Sequence, residues 1–399
     1  MNVLILSHLY PNGQRALNCF VHRQVKALAK QGCDMQVLSP VPWAPWPFVR
    51  GEKRARLVAI PQADSVEGIT AIYPRYPTVP RGGTLGLQSY GMAVGTWGDL
   101  RRACRTADVL HVHTVYPDGF AATLLSGILR LPVPVCVTAH GSDVRLHGSR
   151  STTRYQVRRC VRSADAVITG HPEIAGLLKG MGRTDVVMIP NGVDLGEFSV
   201  PRGDAARAEL GLPQSCRIVV FVGNLNPFKD PVTFVRSIPG IVESEERTLV
   251  LIVGDGPLRP TLQQLAVELG VEHSVRFLGY RRDVARILAV ADVFVAASPV
   301  ENIWSTTIVE AMTARIPCVV TNAGTTSRYL QHLETAYLVE PGNPASMADG
   351  VIDVLGDAAL ASHLRTRARS MVENSLSVDR SAKQLVLLYQ RLLSEKREH

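Results

Sequence analysis

The 399-residue chain is too long for a single ordinary hydrophobic core, so two α/β domains of similar size are expected. No run of eighteen apolar residues occurs, the first segment lacks the features of a signal peptide, and seven scattered cysteines without a CxxC pair are typical of reduced cytoplasmic thiols. The formal charge of +8 is concentrated in the first half, where residues 1–200 hold 22 lysines and arginines against 13 acids. Because no nucleic-acid-binding signature accompanies it, this charge points to an anionic membrane or a phosphorylated substrate rather than to nucleic acid.

Short apolar runs bounded by turn residues predict buried strands in the first half of the chain. The runs are VLILSH (3–8), DMQVLSP (34–40), DVLHVHT (108–114), VPVCVTAH (133–140), DAVITG (165–170) and DVVMIP (185–190). The intervening segment FVHRQVKALAKQG predicts a helix that ends before Gly32, with one face formed by Val21, Val25, Leu28 and Ala29. Strands that alternate with helices predict a parallel sheet with right-handed crossovers.

The same pattern restarts after VPRGDAARAELGLP (200–213), a polar stretch that suits a linker and a short helix. The second set of predicted strands is RIVVFVG (217–223), TLVLIVG (248–254), VRFLG (275–279), DVFVAAS (292–298) and PCVVT (317–321). We therefore expect doubly wound α/β domains at 1–200 and 201–375. An amphipathic helix at 376–399 follows, with a face for packing back on the first domain.

Two strand ends in the second half carry residues suited to an anionic ligand, which parallel sheets bind at the carboxyl ends of their strands. GNLNPFKD follows the first strand and places Lys229 within reach of an anion there. In PVENIWSTTIVEAM, Ser305 or Thr306 can cap a helix whose N-terminus offers donors to a phosphate. Glu310 lies one turn inside that helix, where a carboxylate suits a ribose hydroxyl and a solvated glutamate is equally compatible.

These motifs also occur in the order of a known family. GNLNPFKD, VGDGPLR, VRFLGYRRDV and ENIWSTTIVEAMTARIPCVVTNAG resemble the donor domain of the family 4 retaining glycosyltransferases. In the first half, LYPNGQRALNCFVHRQVKALAKQG, HVHTVYPDG, TAHGSD and PNGVD resemble the same family, and the likeness extends from Met1 to about residue 345. It implies the GT-B fold, in which two Rossmann-like domains face a central cleft. The implied reaction is metal-independent and cofactor-free transfer of a sugar, with retention, from a nucleoside-diphosphate sugar to a hydroxyl acceptor.

The resemblance also implies roles for individual residues. His140 would face the reacting sugar from the first domain, Lys229 would bind the donor pyrophosphate, and Glu310 would hold the ribose. On the sequence alone, His140 is more simply a structural histidine at a strand end. The remaining donor-side residues are Gly223, Asn224, Gly279, Tyr280, Arg281, Glu301, Asn302, Ser305 and Thr306, and the acceptor-side residues are Gly13, Asn18, Asp118 and Asp143.

The chain departs from the family pattern on both sides of the cleft. Asn224 stands where family members often have arginine, so one pyrophosphate charge is missing, and Arg281 or Arg15 is a candidate replacement. Asn18 stands where the first-domain loop usually has glycine. Asparagine tolerates left-handed backbone better than most residues but adds a side chain.

A third departure concerns the acid that pairs with Glu310. At the family's spacing, a count without gaps places Asn302 at the sugar-facing position and puts Trp304 and Ser305 on the aromatic and small positions. A one-residue bulge would instead restore Glu301. We favour Asn302, which both donates and accepts hydrogen bonds and so would shift the preference for sugar hydroxyls.

Other functions are less well supported. His111 and His113 alternate on one strand like two metal ligands, but no third ligand is evident. In VGDGPLR, Arg259 replaces the third glycine of a dinucleotide fingerprint. Besides transfer to a cell-envelope glycan, the alternatives are a natural-product glycosyltransferase, a nucleotide-sugar 2-epimerase and a degenerate relative without activity.

One surface of the first domain suits an anionic membrane on the cytoplasmic side. Arginines recur every four residues at Arg150, Arg154, Arg158 and Arg162, with Arg159 beside them. The odd stretch PVPWAPWPFVRGEKRAR (40–56), whose prolines argue against a regular element, offers three aromatic anchors: Trp43, Trp46 and Phe48. A merely solvated basic face explains the arginines equally well.

Overall fold

The computed structural model describes residues 1–12, 20–43, 55, 57–78, 86–199, 204–300, 306–324 and 326–398. The chain forms two compact units, the first of Met1–Gly192 with Val378–His399 and the second of Val193–Ser377. The division therefore falls just after the last strand of the first unit, ahead of the polar stretch 200–213. The C-terminal helix belongs to the first unit.

The first unit is built on an eight-stranded sheet. Its strands are β1 (Asn2–Leu6), β2 (Asp34–Leu38), β4 (Ala63–Val66), β5 (Ile69–Ile72), β7 (Val109–His113), β8 (Val135–Ala139), β9 (Ala166–Thr169) and β10 (Val187–Met188), and a separate ribbon pairs β3 (Val41–Trp43) with β6 (Arg75–Pro77). The sheet order is β10-β9-β8-β7-β1-β2-β5-β4, and every pair is parallel except β4–β5. All six runs predicted in this half contain a strand, which confirms them.

Two strand pairs were not predicted. β4 and β5 form a hairpin that turns at Glu67 and Gly68, both with positive φ, as a two-residue hairpin turn requires. β3 contradicts the expectation that prolines exclude a regular element from 40–56. Pro42 is tolerated because, within the described residues, β3 pairs only with β6 and needs only one row of backbone donors.

The second unit has a six-stranded, wholly parallel sheet. Its strands are β11 (Arg217–Val222), β12 (Thr248–Val253), β13 (Val275–Gly279), β14 (Val293–Ala296), β15 (Cys318–Thr321) and β16 (Tyr337–Val339). They lie in the order β13-β12-β11-β14-β15-β16. Five of them match the five predicted runs, and only β16 was missed.

Helices cover both faces of each sheet. They are α1 (Phe20–Lys30), α2 (Gln88–Ala103), α3 (Phe120–Leu129), α4 (Ser142–Ser149), α5 (Arg154–Ser163), α6 (Pro172–Gly180), α7 (Asp204–Glu209), α8 (Pro231–Ser244), α9 (Arg259–Glu268), α10 (Val284–Ala289), α11 (Thr306–Thr313), α12 (Pro344–Gly356), α13 (Ala358–Ser375) and α14 (Val378–Glu398). None of the described helices is both long and apolar enough to cross a bilayer.

Alternate side chains of β1 point into the two hydrophobic clusters that lie on opposite faces of the first sheet. Leu4 and Leu6 point into the cluster under α2, α3 and α5, whereas Val3 and Ile5 point into the cluster under α1 and α14. On α1 itself, Val21, Val25 and Leu28 are buried as predicted. Ala29 is exposed, contrary to the prediction, and Ala27 takes its place in the buried face.

Candidate functional site

Each sheet changes its winding direction at a central strand. β1 lies between β7 and β2 in the first unit, and β11 lies between β14 and β12 in the second. Connections that leave such a strand pair in opposite directions open a crevice at the carboxyl ends, which is where open α/β sheets bind ligands. The predicted residues follow these strands or their neighbours, so each unit is described in turn.

Asp118 follows β7 and is fully buried. Its carboxylate accepts hydrogen bonds from the His8 backbone N–H at 3.0 Å and from the Thr114 hydroxyl at 2.7 Å, and it also pairs with His8 Nδ1. The predicted acceptor-side carboxylate is thus occupied by internal donors. Because Nδ1 of His8 faces the Asp118 carboxylate, Nε2 is the remaining ring nitrogen that the partly exposed His8 side chain offers at the end of β1.

Sequence reasoning selected Asp118 and missed His8. The available signal was position, because His8 directly follows the central strand of the sheet. The turn that brings Asp118 to it starts at Thr114, which has φ of 80°. A β-branched residue seldom adopts this backbone conformation, so the surrounding structure must hold the turn in place.

Asp143 is a second buried carboxylate with internal partners. It accepts from the backbone N–H groups of Val115 (2.7 Å), His140 (3.1 Å) and Gly141 (2.8 Å). Burial raises the pKa of Asp143, and these N–H donors oppose the rise. The carboxylate therefore ties the loop after β8 to the loop after β7 and fixes the backbone that carries His140.

The His140 ring is partly exposed at the end of β8. Its Nε2 lies 3.1 Å from His113 Nδ1, its Nδ1 lies 3.4 Å from the Asn191 side-chain nitrogen, and the Phe20 ring packs on it at 4.5 Å between centroids. Burial lowers the pKa of His140 to about 3, and repulsion between the protonated forms of His140 and His171 contributes to the lowering. His140 is consequently neutral at pH 7 and suited to hydrogen bonding with an uncharged hydroxyl.

Two buried histidines stand behind His140. The ring of His113 is parallel to it at 5.3 Å, and the ring of His111 stacks on His113 at 4.6 Å. Both nitrogens of His111 have partners, with Nδ1 2.5 Å from the Tyr389 hydroxyl and Nε2 2.7 Å from the Thr138 hydroxyl. Burial lowers the pKa of His111 to about 3. Within the described residues, no group of three His, Cys, Asp or Glu side chains could hold a metal ion.

In the second unit, glycines let the loops after β11 and β12 pack backbone against backbone. A Cβ atom at Gly254, where φ is +130°, would lie 1.9 Å from the Gly223 carbonyl oxygen, and one at Gly256 would lie 2.5 Å from that of Leu225. Leu225 N–H also donates to the Asp255 carbonyl at 3.0 Å. The glycines of VGDGPLR are therefore required for the close approach of these loops.

Lys229 lies in the loop after β11. Its stem passes over Gly223, since a Cβ there would be 3.7 Å from Lys229 Cγ, and burial lowers the pKa of its ammonium group. The loop is anchored to the segment that follows β14 by the Ser298 hydroxyl, which donates to the Phe228 carbonyl at 2.7 Å. Lys229 is the only lysine between Val193 and Ser377, and neighbouring Asn224 is exposed.

Glu310 sits in the middle of α11 and is 8% exposed. The helix spans Thr306–Thr313, and Arg315 just beyond its end has positive φ. Arg369 of α13 donates to the Thr313 carbonyl and so fixes the end of α11. The burial of Glu310 argues against a solvated surface glutamate.

The loop after β13 carries Tyr280 and Arg281. Tyr280 is exposed and follows Gly279, whose φ is +66°. Arg281 forms a bidentate pair with Asp283 at 2.8 and 2.6 Å, which raises the pKa of Arg281 and lowers that of Asp283. The guanidinium proposed as a substitute charge beside Asn224 is therefore already paired with a carboxylate.

Several predicted residues lie outside the described part of the chain. They are Gly13, Arg15, Asn18, Trp46, Phe48, Glu301, Asn302, Trp304 and Ser305. The choice between Glu301 and Asn302 stays a prediction.

Comparison with known proteins identifies the class. The Glycosyltransferase Family 4 model matches residues 18–197, and the Glycosyl transferases group 1 model matches residues 203–371. The chain belongs to the family 4 glycosyltransferases, has the GT-B fold with two Rossmann-like units, and is an enzyme of the glycosyltransferase class.

Three similar proteins illustrate the match. The putative teichuronic acid biosynthesis glycosyltransferase TuaC of Bacillus subtilis is 27% identical over 88% of both chains. An uncharacterized glycosyltransferase of Methanocaldococcus jannaschii, MJ1607, is 32% identical over 71% of this chain and 75% of its own. The crystal structure of Anabaena HepE in complex with UDP and glucose has a TM-score of 0.74 at 19% identity, covering 98% of this chain and 100% of HepE.

Proposed function

We propose that this glycosyltransferase takes its sugar from a nucleoside-diphosphate sugar and transfers it to a hydroxyl acceptor with retention of anomeric configuration. The observation that carries the donor class is Lys229, the single lysine of the second unit, held over a glycine-lined loop at the crevice beside β11. A lysine ammonium beside a glycine, which lets a ligand approach the backbone closely, suits a diphosphate. HepE, which is similar in fold, was crystallised with UDP and glucose, and this supports the same donor class for this chain.

In the proposed reaction, the bond between the anomeric carbon and the diphosphate oxygen breaks, and its electron pair leaves with the diphosphate. The acceptor oxygen forms the new bond on the same face of the sugar, and its proton passes to the departing phosphate oxygen. Negative charge grows on the leaving group, where the Lys229 ammonium and the N-terminus of α11 would stabilise it. Glu310 would hold the ribose through its two carboxylate oxygens.

The first unit would supply uncharged hydrogen-bonding groups to the sugar and the acceptor. His140 is neutral at pH 7, and a neutral imidazole both donates and accepts hydrogen bonds, as hydroxyl groups require. Asp143 and Asp118 would act as positioning residues, because their carboxylates are occupied by internal donors.

No metal or cofactor takes part in the proposed mechanism. Lys229 and the N-terminus of α11 would together do what a divalent cation does on a leaving diphosphate in a metal-dependent enzyme. Transfer should therefore proceed unchanged in excess chelator. A loss of activity that added Mg²⁺ or Mn²⁺ restores would contradict this proposal.

For the acceptor, we propose a hydroxyl of a cell-envelope glycan or lipid-linked intermediate, reached from the cytoplasmic side of the membrane. The support is similarity to TuaC, a relative named for teichuronic acid biosynthesis. Transfer only to small natural-product hydroxyls in an acceptor screen would favour the natural-product alternative instead.

The direct test is release of nucleoside diphosphate from a panel of nucleotide sugars, with and without candidate acceptors. Lys229→Ala and Glu310→Gln should each lower transfer about ten- to hundredfold, since one charged contact is worth about 1.5–3 kcal/mol. Arg236→Ala is the matched control, because Arg236 is an exposed cation on α8 directly after the same loop. Wild-type rates in Lys229→Ala and Glu310→Gln would remove the assigned donor site.

The same assay separates the alternatives. A 2-epimerase would convert the nucleotide sugar to its epimer without net nucleotide release. An inactive relative would bind nucleotide without turnover of any donor.

A further inference from the structure

The outward face of α2 is apolar. Leu87 immediately before the helix and Tyr90, Val94 and Trp97 within it are all exposed, with Leu87 at 62% and Val94 at 69%. Their spacing of three and four residues places them on one side, while Met92 and the other inward residues are buried in the core. Large apolar residues on the solvent side of a helix, in a continuous stripe, mark an interaction surface.

Helix α2 also packs on the two-stranded ribbon that carries Trp43, one of the three aromatic anchors suggested by the sequence. Gly91 and Gly95 bring α2 directly onto β6, since a Cβ at either would lie 2.3–2.4 Å from a backbone oxygen of that strand. β6 pairs with β3, and Trp43 at the end of β3 is half exposed. Strand β6 therefore connects α2 to the strand that carries the exposed Trp43.

Helix α5 supplies positive charge next to this stripe. Its arginines Arg154, Arg158, Arg159 and Arg162 are exposed, and Tyr155 between them is 63% exposed. In the described part of the first unit, the arginines that pair with acids are Arg102, Arg145, Arg183 and Arg391, so the α5 guanidiniums have no acidic partner there.

A hydrogen bond joins the first turn of α5 to the segment just before α2. The Gln156 side-chain amide of α5 donates to the Gly86 carbonyl, two residues before α2 begins, at 2.6 Å. A Cβ at Gly86 would also lie 3.0 Å from the Thr152 carbonyl oxygen just before α5. Leu87 and Tyr90 are thus next to the arginine-bearing helix.

We propose that the α2–α5 surface, defined by Leu87, Tyr90, Val94 and Trp97 with Arg154, Tyr155, Arg158 and Arg159, docks the first unit on an anionic bilayer. Aromatic and aliphatic side chains enter the interfacial region, and guanidiniums without protein carboxylates pair with lipid phosphates. The charge complementarity favours anionic lipid over a neutral surface, because residues 1–200 carry 22 basic against 13 acidic side chains.

The test is co-sedimentation of the full chain with phosphatidylcholine vesicles, with or without 30% phosphatidylglycerol, in low and high salt. Wild type should bind the phosphatidylglycerol vesicles in low salt and release in high salt. Leu87→Glu/Val94→Glu should reduce vesicle affinity at least tenfold, and Arg154→Glu/Arg158→Glu should reduce it by a similar factor, since each basic residue near an anionic surface contributes about fivefold. All of these side chains are exposed, so the variants should retain the wild-type melting temperature.

Val267→Glu/Arg236→Glu is the matched control, because it places the same changes at exposed positions of the second unit and should bind as wild type does. Absence of binding at low salt overturns the proposal, and so does wild-type binding by Leu87→Glu/Val94→Glu. A dimer in sedimentation velocity that Val94→Glu abolishes also overturns it, because a second copy would then be the occupant. Lys229→Ala should bind vesicles normally, which keeps this result separate from the donor site.

Discussion

The two units place their candidate sites at the same point of a parallel sheet but build them from different chemistry. In the first unit, buried carboxylates hold the loops and neutral histidines line the strand ends. In the second unit, glycines let the loops pack closely, and one partly buried lysine lies at the strand end. Neutral imidazoles suit hydroxyl groups, whereas a lysine ammonium suits phosphate. Under the proposed function, the diphosphate would bind to the second unit and the hydroxyl partners to the first.

The largest difference between the units should be in stability at low pH, where the first unit should be destabilised more than the second. Burial lowers the pKa of His111 and His140 to about 3 and that of His171 to about 4, while the three histidines of the second unit are exposed. Between pH 6.5 and these values the unfolded chain binds more protons than the folded one, so stability falls as the pH falls. Each such histidine contributes up to about 1.4 kcal/mol per pH unit.

Tryptophan fluorescence can follow this effect, because Trp43, Trp46 and Trp97 lie in the first unit and Trp304 alone in the second. Unfolding free energies from denaturant titrations should fall steeply from pH 6.5 to pH 4. His111→Phe should reduce that slope by about 1.4 kcal/mol per unit, and His273→Phe at an exposed site should not. Identical slopes in all three proteins would show that His111 is not held neutral by folding.

The buried carboxylate of Asp143 offers the next largest contrast. Asp143→Ala leaves three backbone N–H groups without their acceptor and should cost about 2–4 kcal/mol of unfolding free energy. Asp230→Ala in the second unit removes a helix cap that accepts from Thr233 and should cost about 1 kcal/mol. Equal losses by thermal or denaturant unfolding would refute the role of Asp143 as the tie between loops.

The smallest effect is expected at His8. If its Nε2 accepts a hydrogen bond from an acceptor hydroxyl, His8→Ala should raise the KM for the acceptor about two- to tenfold and leave the KM for the donor unchanged. Asp118→Asn, which disturbs the tautomer of His8, should move the same constant in the same direction. Lys229→Ala is the opposite control, because it should act on the donor. If His8→Ala changes only the KM for the donor, His8 does not contact the acceptor and the prediction is wrong.

Much of the fold could be read from local pattern. Continuous apolar runs of four to eight residues are long enough to mark buried strands, so eleven predicted runs contain strands. The hairpin β4–β5 was not predicted because its first strand, ADSV, is mostly exposed and polar. β16 escaped because it is only three residues long.

The site was less predictable because its roles depend on distant partners. Asp118 and Asp143 look like free acids in HVHTVYPDG and TAHGSD, yet both are buried acceptors. The partner of Asp118, His8, is 110 residues away in the chain. No spacing rule reports such a pair. Similarly, the sequence suggests that the Arg281 charge is available for the pyrophosphate, but the structure pairs it with Asp283.

By itself the sequence determined two doubly wound halves, the positions of Lys229 and Glu310 relative to strand ends, and the uneven charge, since these depend on local hydrophobic pattern and composition. Only the tertiary structure decided which carboxylates are buried, that two buried histidines stack behind His140, and that an apolar face of α2 lies beside the arginines of α5. These features arise when segments far apart in the chain come together and exclude water, and burial then fixes both the charge state and the hydrogen-bond partners of each group.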